Sequence, residues 1–173
     1  VQRVRFLRQW MPELDWPAMD DDALRAALPM VCRGRRSFEE LRGAPWPECL
    51  QALLTPEQQR TLAREAPLAI QVPSGSRIRL VYESGKAPVL AVRIQEIFGM
   101  LETPRVAAGR VAVLLHLLAP NHRPQQVTDD LASFWRTTYH QVRKDLRRRY
   151  PKHAWPEDPY QATAERRPHR RDR

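Results

Sequence analysis

The chain has 173 residues, 42% of them hydrophobic and 28% charged, which favours one soluble domain or a compact pair of subdomains with a real core. Two cysteines exclude a disulfide framework, and nothing at the start has the apolar stretch of a signal peptide. The formal net charge is +9, and it is unevenly placed: residues 1–142 carry 18 basic and 15 acidic side chains, a balance of +3, and residues 143–173 carry 11 and 5, a balance of +6. Such asymmetry fits a polyanionic partner, most simply nucleic acid, or else a solubilising tail behind basic residues that complement a helix C-terminus. The chain opens at Val1, without Met and in mid-helix pattern, as a fragment of a longer protein would.

Val4, Phe6, Leu7, Trp10 and Met11 sit at helical spacing up to Pro12. Asp20, Asp21 and Asp22 cap a second helix, with Leu24, Ala27, Leu28 and Val31 expected inward; the acidic triplet is dipole compensation rather than a metal site. Ser37 and Glu40 have capping-box spacing for a short helix with Phe38 and Leu41 inward. Residues 46–54 read as a fourth helix, and Thr55-Pro56-Glu57 starts a fifth that runs to about Glu65. Residues 1–66 are therefore a helical segment made of short pieces. Cys32 and Cys49 are expected to be buried or semi-buried free thiols in a reducing compartment.

Beyond Pro67 the period changes. Residues 68–72 and 77–82 read as strands, the second alternating Arg77 and Arg79 with Ile78, Leu80 and Tyr82; after the turn at Glu83-Ser84-Gly85-Lys86, residues 89–92 complete a hairpin. Ile94, Ile97 and Phe98 suggest a short helix ended by Gly99. The run 111–118 predicts a central strand buried on both faces, with His116 as a core histidine, and it is far too short to cross a bilayer. Residues 125–127 add a few extended positions.

A long amphipathic helix follows, with Thr128 as its expected N-cap and Leu131, Phe134, Trp135, Thr138, Val142 and Leu146 as its apolar stripe. Another face carries Arg136, His140, Arg143 and Arg147, with Lys144 and Arg148 beside them. Pro151 stops the helix, and a strap rich in Pro and Trp leads to Pro159. The tail from residue 160 has almost no apolar side chains and is expected to be disordered. The whole predicts an α+β fold. Short N-terminal helices (1–66) precede a module (67–159) with a small, mostly antiparallel sheet or partial barrel and the long helix with its strap; a basic tail (160–173) ends the chain.

No catalytic constellation is complete. Gly85-Lys86 lacks the other members of a phosphate-binding loop, Ser74 has neither a base nor an elbow, and the histidines 116, 122, 140, 153 and 169 have no metal-ligand spacing. Glu96 is a lone carboxylate, expected to pair with an arginine. The basic face is the better candidate: Arg136, Arg143, Lys144, Arg147, Arg148, Arg149 and Lys152 could neutralise phosphates, with Tyr150 and Trp155 either stacking on unpaired bases or anchoring the strap. Arg77 and Arg79 extend the positive surface if their strand face points the same way.

The stretches LAIQVPSGSRIRLVYESGKAPVLAVRIQEIFG, TPRVAAGRVAVLLHLLAPNHRPQQVTDDLASFW and RKDLRRRYPKHAWPEDP resemble the C-terminal region of HrpB-type bacterial DEAH-box ATP-dependent helicases, and RVRFLRQWMPELDWPAMDDDAL resembles the segment just upstream. Ala119 departs from the serine usual before this proline, and the GKA turn varies. The resemblance implies a noncatalytic auxiliary domain of a cytoplasmic RNA helicase, possessing no cofactor of its own, with ATP and Mg handled by upstream motor domains. It implies nucleic acid, single-stranded RNA in particular, and the upstream helicase core as partners, and allows an oligonucleotide-binding-type barrel in the β region. The alternative is a protein-docking or bracing module built on the long helix and strap.

Overall fold

The computed structural model describes residues 1–166, which divide into two compact units, Val1–Pro67 with Tyr82–Lys86, and Leu68–Val81 with the chain from Ala87 onward.

The first unit holds five short helices: α1 (Gln2–Trp10), α2 (Asp21–Cys32), α3 (Phe38–Arg42), α4 (Trp46–Gln51) and α5 (Pro56–Glu65). Local chemistry sets their starts. Asp20 accepts from the Ala23 amide at 2.9 Å, and Thr55 and Gln58 close a full capping box at 3.2 and 2.9 Å. Ser37 caps α3 by accepting from the Glu40 amide, but the Glu40 carboxylate reaches the Arg36 amide, one residue before the cap, so the reciprocal half of that box is absent. Val4, Phe6, Leu7, Ala27 and Val31 are buried as expected. Leu28 and Phe38 are not: they are 41% and 82% exposed. Phe38 opens α3, whose five residues make little more than one turn and need not bury every apolar side chain, and Leu28 lies on α2 outside the buried line of Ala27 and Val31. Cys32 is likewise exposed and Cys49 half-buried. Tyr82 joins this unit through an edge-on contact with Phe6 and a hydrogen bond from its hydroxyl to the Pro67 carbonyl.

The second unit is built on a five-stranded sheet of β1 (Ala69–Gln71), β2 (Arg77–Val81), β3 (Val89–Arg93), β6 (Leu114–Leu118) and β7 (Pro124–Thr128), in that spatial order. The β2–β3 hairpin is present in antiparallel register, whereas β3 and β6 run parallel, Ala91 beside His116. A parallel pair needs a crossover. The intervening chain supplies it with a 3₁₀ turn (Ile94–Glu96) and a separate two-stranded ladder of β4 (Arg105–Val106) and β5 (Val111–Ala112). The sheet stays open at β1 and β7, so the barrel alternative is not realised.

The run 111–118 is two strands rather than one. At Val113 the chain changes partners: its amide donates to Pro104 and the next, that of Leu114, to Pro88. Only alternate residues of β6 are buried, Leu115 and Leu117, while Leu114, His116 and Leu118 are half-exposed. The expectation of burial on both faces, with His116 in the core, is corrected accordingly: a run of apolar residues does not reveal that one face lies open.

The helical segment begins two residues later than expected. Thr128 still belongs to β7, and Asp130 is the N-cap, accepting from the Ser133 amide at 2.8 Å. Helix α6 (Leu131–Ser133) then passes through a π-helical turn (Phe134–Thr138) into α7 (Tyr139–Arg149). The wider turn brings Tyr139, rather than Thr138, fully into the core. Tyr139 stands edge-on to Trp135 at 5.1 Å, and both rings meet Phe98 at 6.0 Å.

Candidate nucleic-acid interface

The strap is held to α7 by its own polar atoms. The Trp155 indole, 6% exposed, donates to the Tyr150 carbonyl at 3.0 Å, and the Tyr139 hydroxyl donates to the Pro156 carbonyl at 2.9 Å. Burial pushes the Tyr139 hydroxyl well above its ordinary pKa, with Arg143 opposing, so it remains a donor. Trp155 is therefore an anchor and not a stacking platform.

Arg143 serves the same purpose. Its Nε donates to the Trp155 carbonyl at 2.8 Å, and an Nη donates to Glu157 at 3.0 Å. Its side chain is only 16% exposed. Of the expected contact residues it alone has hydrogen-bond partners among the described residues. Arg143→Ala is expected to cost about 1–2 kcal/mol and to raise hydrogen exchange around residues 155–157, because two hydrogen bonds are lost from a half-buried clamp. Lys144→Ala, on the open face, is expected to stay within about 0.5 kcal/mol of the parent; equal effects of the two changes would refute the clamp.

Arg136, Lys144, Arg147, Arg148, Arg149 and Lys152 are exposed and have no hydrogen-bond or ion-pair partner among the described residues. His140, Lys144, Arg147 and Arg148 follow one another at intervals of four, three and one, giving a stripe on the solvent side of α7. Arg149 and Lys152 continue the positive charge past the helix end. The strap and helix also enclose an open polar recess of about 610 Å³, lined by Arg143, Arg147, Pro151, His153, Trp155 and Glu157. His153 lies 3.2 Å from the Gln95 amide nitrogen. Burial, joined by the charge of Arg93, lowers its pKa against the opposing pull of Glu165.

Within residues 160–166, assigned by composition to a disordered tail, the Glu165 amide donates to the Gln95 carbonyl and Arg93 donates to the Arg166 carbonyl, and just before them Gly99 donates to the Pro159 carbonyl at the end of the strap. Gly99 has φ +79°, and a Cβ there would stand 3.5 Å from the Ala162 carbonyl. The rest of the tail lies outside the described residues. Glu96 pairs with Arg93 at 3.0 Å, as expected. Among the described residues no group of three His, Cys, Asp or Glu could hold a metal ion, and no helix is long and apolar enough to cross a membrane.

Known proteins resemble this chain over nearly its full length. The curated ATP-dependent RNA helicase HrpB of Escherichia coli K12 is 44% identical over 163 residues, which are 91% of this chain and 20% of that protein. The crystal structure of the E. coli DExH-box NTPase HrpB matches with a TM-score of 0.89 and 42% identity, covering 96% of this chain and 21% of that one. A second crystal structure, of the E. coli DEAH/RHA helicase HrpB, matches with a TM-score of 0.73 and 41% identity, covering 89% and 20%. The chain thus spans about a fifth of the length of these relatives. The sequence model described as ATP-dependent helicase C-terminal, HrpB_C, matches residues 27–159, and with the identity above this places the chain in the HrpB helicase C-terminal family.

Proposed function

We propose that this domain is a noncatalytic accessory that contacts nucleic acid, single-stranded RNA above all, beside the motor of a cytoplasmic RNA helicase. ATP and Mg²⁺ belong to upstream motor domains, and the helicase core is the domain's partner in the same chain. Arg136, Lys144, Arg147, Arg148, Arg149 and Lys152 supply the contacts, and Arg143 shapes the surface by clamping the strap. The observation that carries this reading is the set of six exposed cations, without a partner among the described residues, on and beside a helix whose opposite face is fixed in the core.

Each phosphate contact on a single strand contributes about −0.7 to the slope of log affinity against log salt. Reversing Arg147, Arg148 and Arg149 to Glu is therefore expected to weaken binding of an unstructured RNA oligonucleotide by at least about tenfold and to flatten the slope by about 2. Fluorescence anisotropy across a salt series measures both. Unchanged affinity and slope in the triple variant would rule the helix face out.

The second reading is protein docking, and one observation favours it. Phe38 is 82% exposed on α3, and in the same unit Leu28 and Met30 are 41% and 39% exposed. The strap itself is committed internally through Trp155, so a docking surface would lie on this unit. Loss of helicase-core association in Phe38→Asp, with RNA affinity intact, is the outcome this reading requires.

A further inference from the structure

We infer that the open face of the five-stranded sheet is a second binding surface, separate from the α7 stripe, and that its ligand is an unpaired nucleotide strand. The juxtaposition follows from strand register. Ala69 is paired with Arg79. The β2–β3 register, carried one residue beyond Leu80↔Leu90, sets Arg79 beside Ala91. Ala91 pairs with His116, and His116 with Val127. Cross-strand partners project from the same face, so one row, Ala69, Arg79, Ala91, His116 and Val127, crosses all five strands. Every member is exposed or half-exposed, whereas Leu80, Leu90, Val92, Leu115 and Leu117 on the other face are buried.

Charge decides what this face would take. The five strands hold Arg77, Arg79, Arg93 and His116 and not one Asp or Glu. Arg93 is used by Glu96, but Arg77 and Arg79 are exposed and unpartnered among the described residues. They lie two residues apart on one strand, about 7 Å along it, and present two guanidinium groups in line to an extended backbone. Ala91 separates Arg79 from His116. The β2–β3 pairing itself starts one residue on, at Leu80↔Leu90; β2 and β6 flank β3, and in this row Ala91 puts only a methyl group between them, leaving a shallow floor edged by a guanidinium plane and an imidazole ring. Planar cationic and aromatic edges around a flat floor suit unpaired bases. A duplex would present its phosphates and hide its base faces from such a floor. An acidic peptide could satisfy the arginines and accept an imidazole N–H, but its carboxylates offer no flat ring to stack on His116.

The test uses the full-length protein with a 4-thiouridine-substituted RNA strand, the same sequence annealed into a duplex, and a poly-glutamate peptide. Crosslinks from the single strand are expected in the peptide containing His116. Arg77→Glu with Arg79→Glu is expected to reduce that crosslinking by at least tenfold. His116→Ala is expected to reduce it several-fold, and His116→Phe to restore much of the binding affinity by keeping a ring, which a merely structural histidine would not do. The helix variant with Arg147, Arg148 and Arg149 reversed should retain the His116 crosslink, so the two surfaces fail separately. Crosslinks confined to other regions, preference for the duplex, or poly-glutamate competing as well as RNA would each overturn the proposal.

Discussion

Replacing Trp135 with alanine is expected to destabilise the sheet-bearing unit by about 3–5 kcal/mol, the range for removing a buried tryptophan. The indole is 1% exposed and lies among Phe98, Phe134 and Tyr139 at centroid distances of 6.0, 4.9 and 5.1 Å. Its Nε1 also donates to the Met100 carbonyl at 2.9 Å, which ties the π-helical turn to the chain just after Gly99. Alanine would therefore leave a cavity among three rings and a carbonyl without its donor. Domains of this size have only about 5–15 kcal/mol in total. At roughly 2–4 °C per kcal/mol, the expected fall in Tm is about 6–20 °C. Trp135→Phe separates the two contributions: it keeps a ring and loses the donor, and should cost only about 1–2 kcal/mol. Thermal and urea unfolding measure both variants. An alanine variant within about 1 kcal/mol of the parent would mean that Trp135 is not the keystone of this cluster.

The same cluster shows where sequence reasoning works and where it stops. Leu131, Phe134, Trp135 and Leu146 follow from helical spacing, and all four are buried. Tyr139 does not follow, because nothing in a 3.6-residue period announces a π-helical turn. Caps are decided by a few neighbouring atoms, so the Thr55 box and the Asp20 cap are legible, while Thr128 and Asp130 compete within three residues and spacing cannot choose between them. The β2–β3 hairpin is legible from its turn. The parallel β3–β6 pair is not, since it joins segments some twenty residues apart through contacts no local pattern encodes. At the candidate interface, composition identifies the cations but not their commitments. Arg143 and Arg147 are equivalent by spacing, yet one grips Trp155 and Glu157 and the other faces solvent. The strap that makes the difference has no periodicity to read.

Glu96 is a buried group whose importance should depend on pH. The carboxylate is 4% exposed. One oxygen accepts from Ser76 at 2.6 Å and from Ser74 at 3.3 Å, and the other accepts from Arg93 at 3.0 Å. Burial by itself would raise its pKa, but the hydrogen bonds from Arg93 and the two serines, with the charge of Arg93, outweigh it and hold the pKa below the ordinary 4.5. A depressed folded pKa means that ionisation favours the folded state above the unfolded value, and that this stability is lost as pH falls through the folded pKa. Glu96→Gln would keep an acceptor for the serines but turn an amide donor toward the Arg93 guanidinium. It is expected to cost about 2–4 kcal/mol at pH 7, toward the lower part of the range for breaking a buried pair because the Arg93 side chain is 20% exposed. Arg93 also holds the Arg166 carbonyl, so hydrogen exchange in residues 160–166 should rise with it. In urea unfolding at a series of pH values, the gap between parent and variant should be widest near neutrality and narrow progressively below pH 4.5. A gap of the same size at pH 7 and pH 3 would show that shape and hydrogen bonding at this position matter, and the carboxylate charge does not.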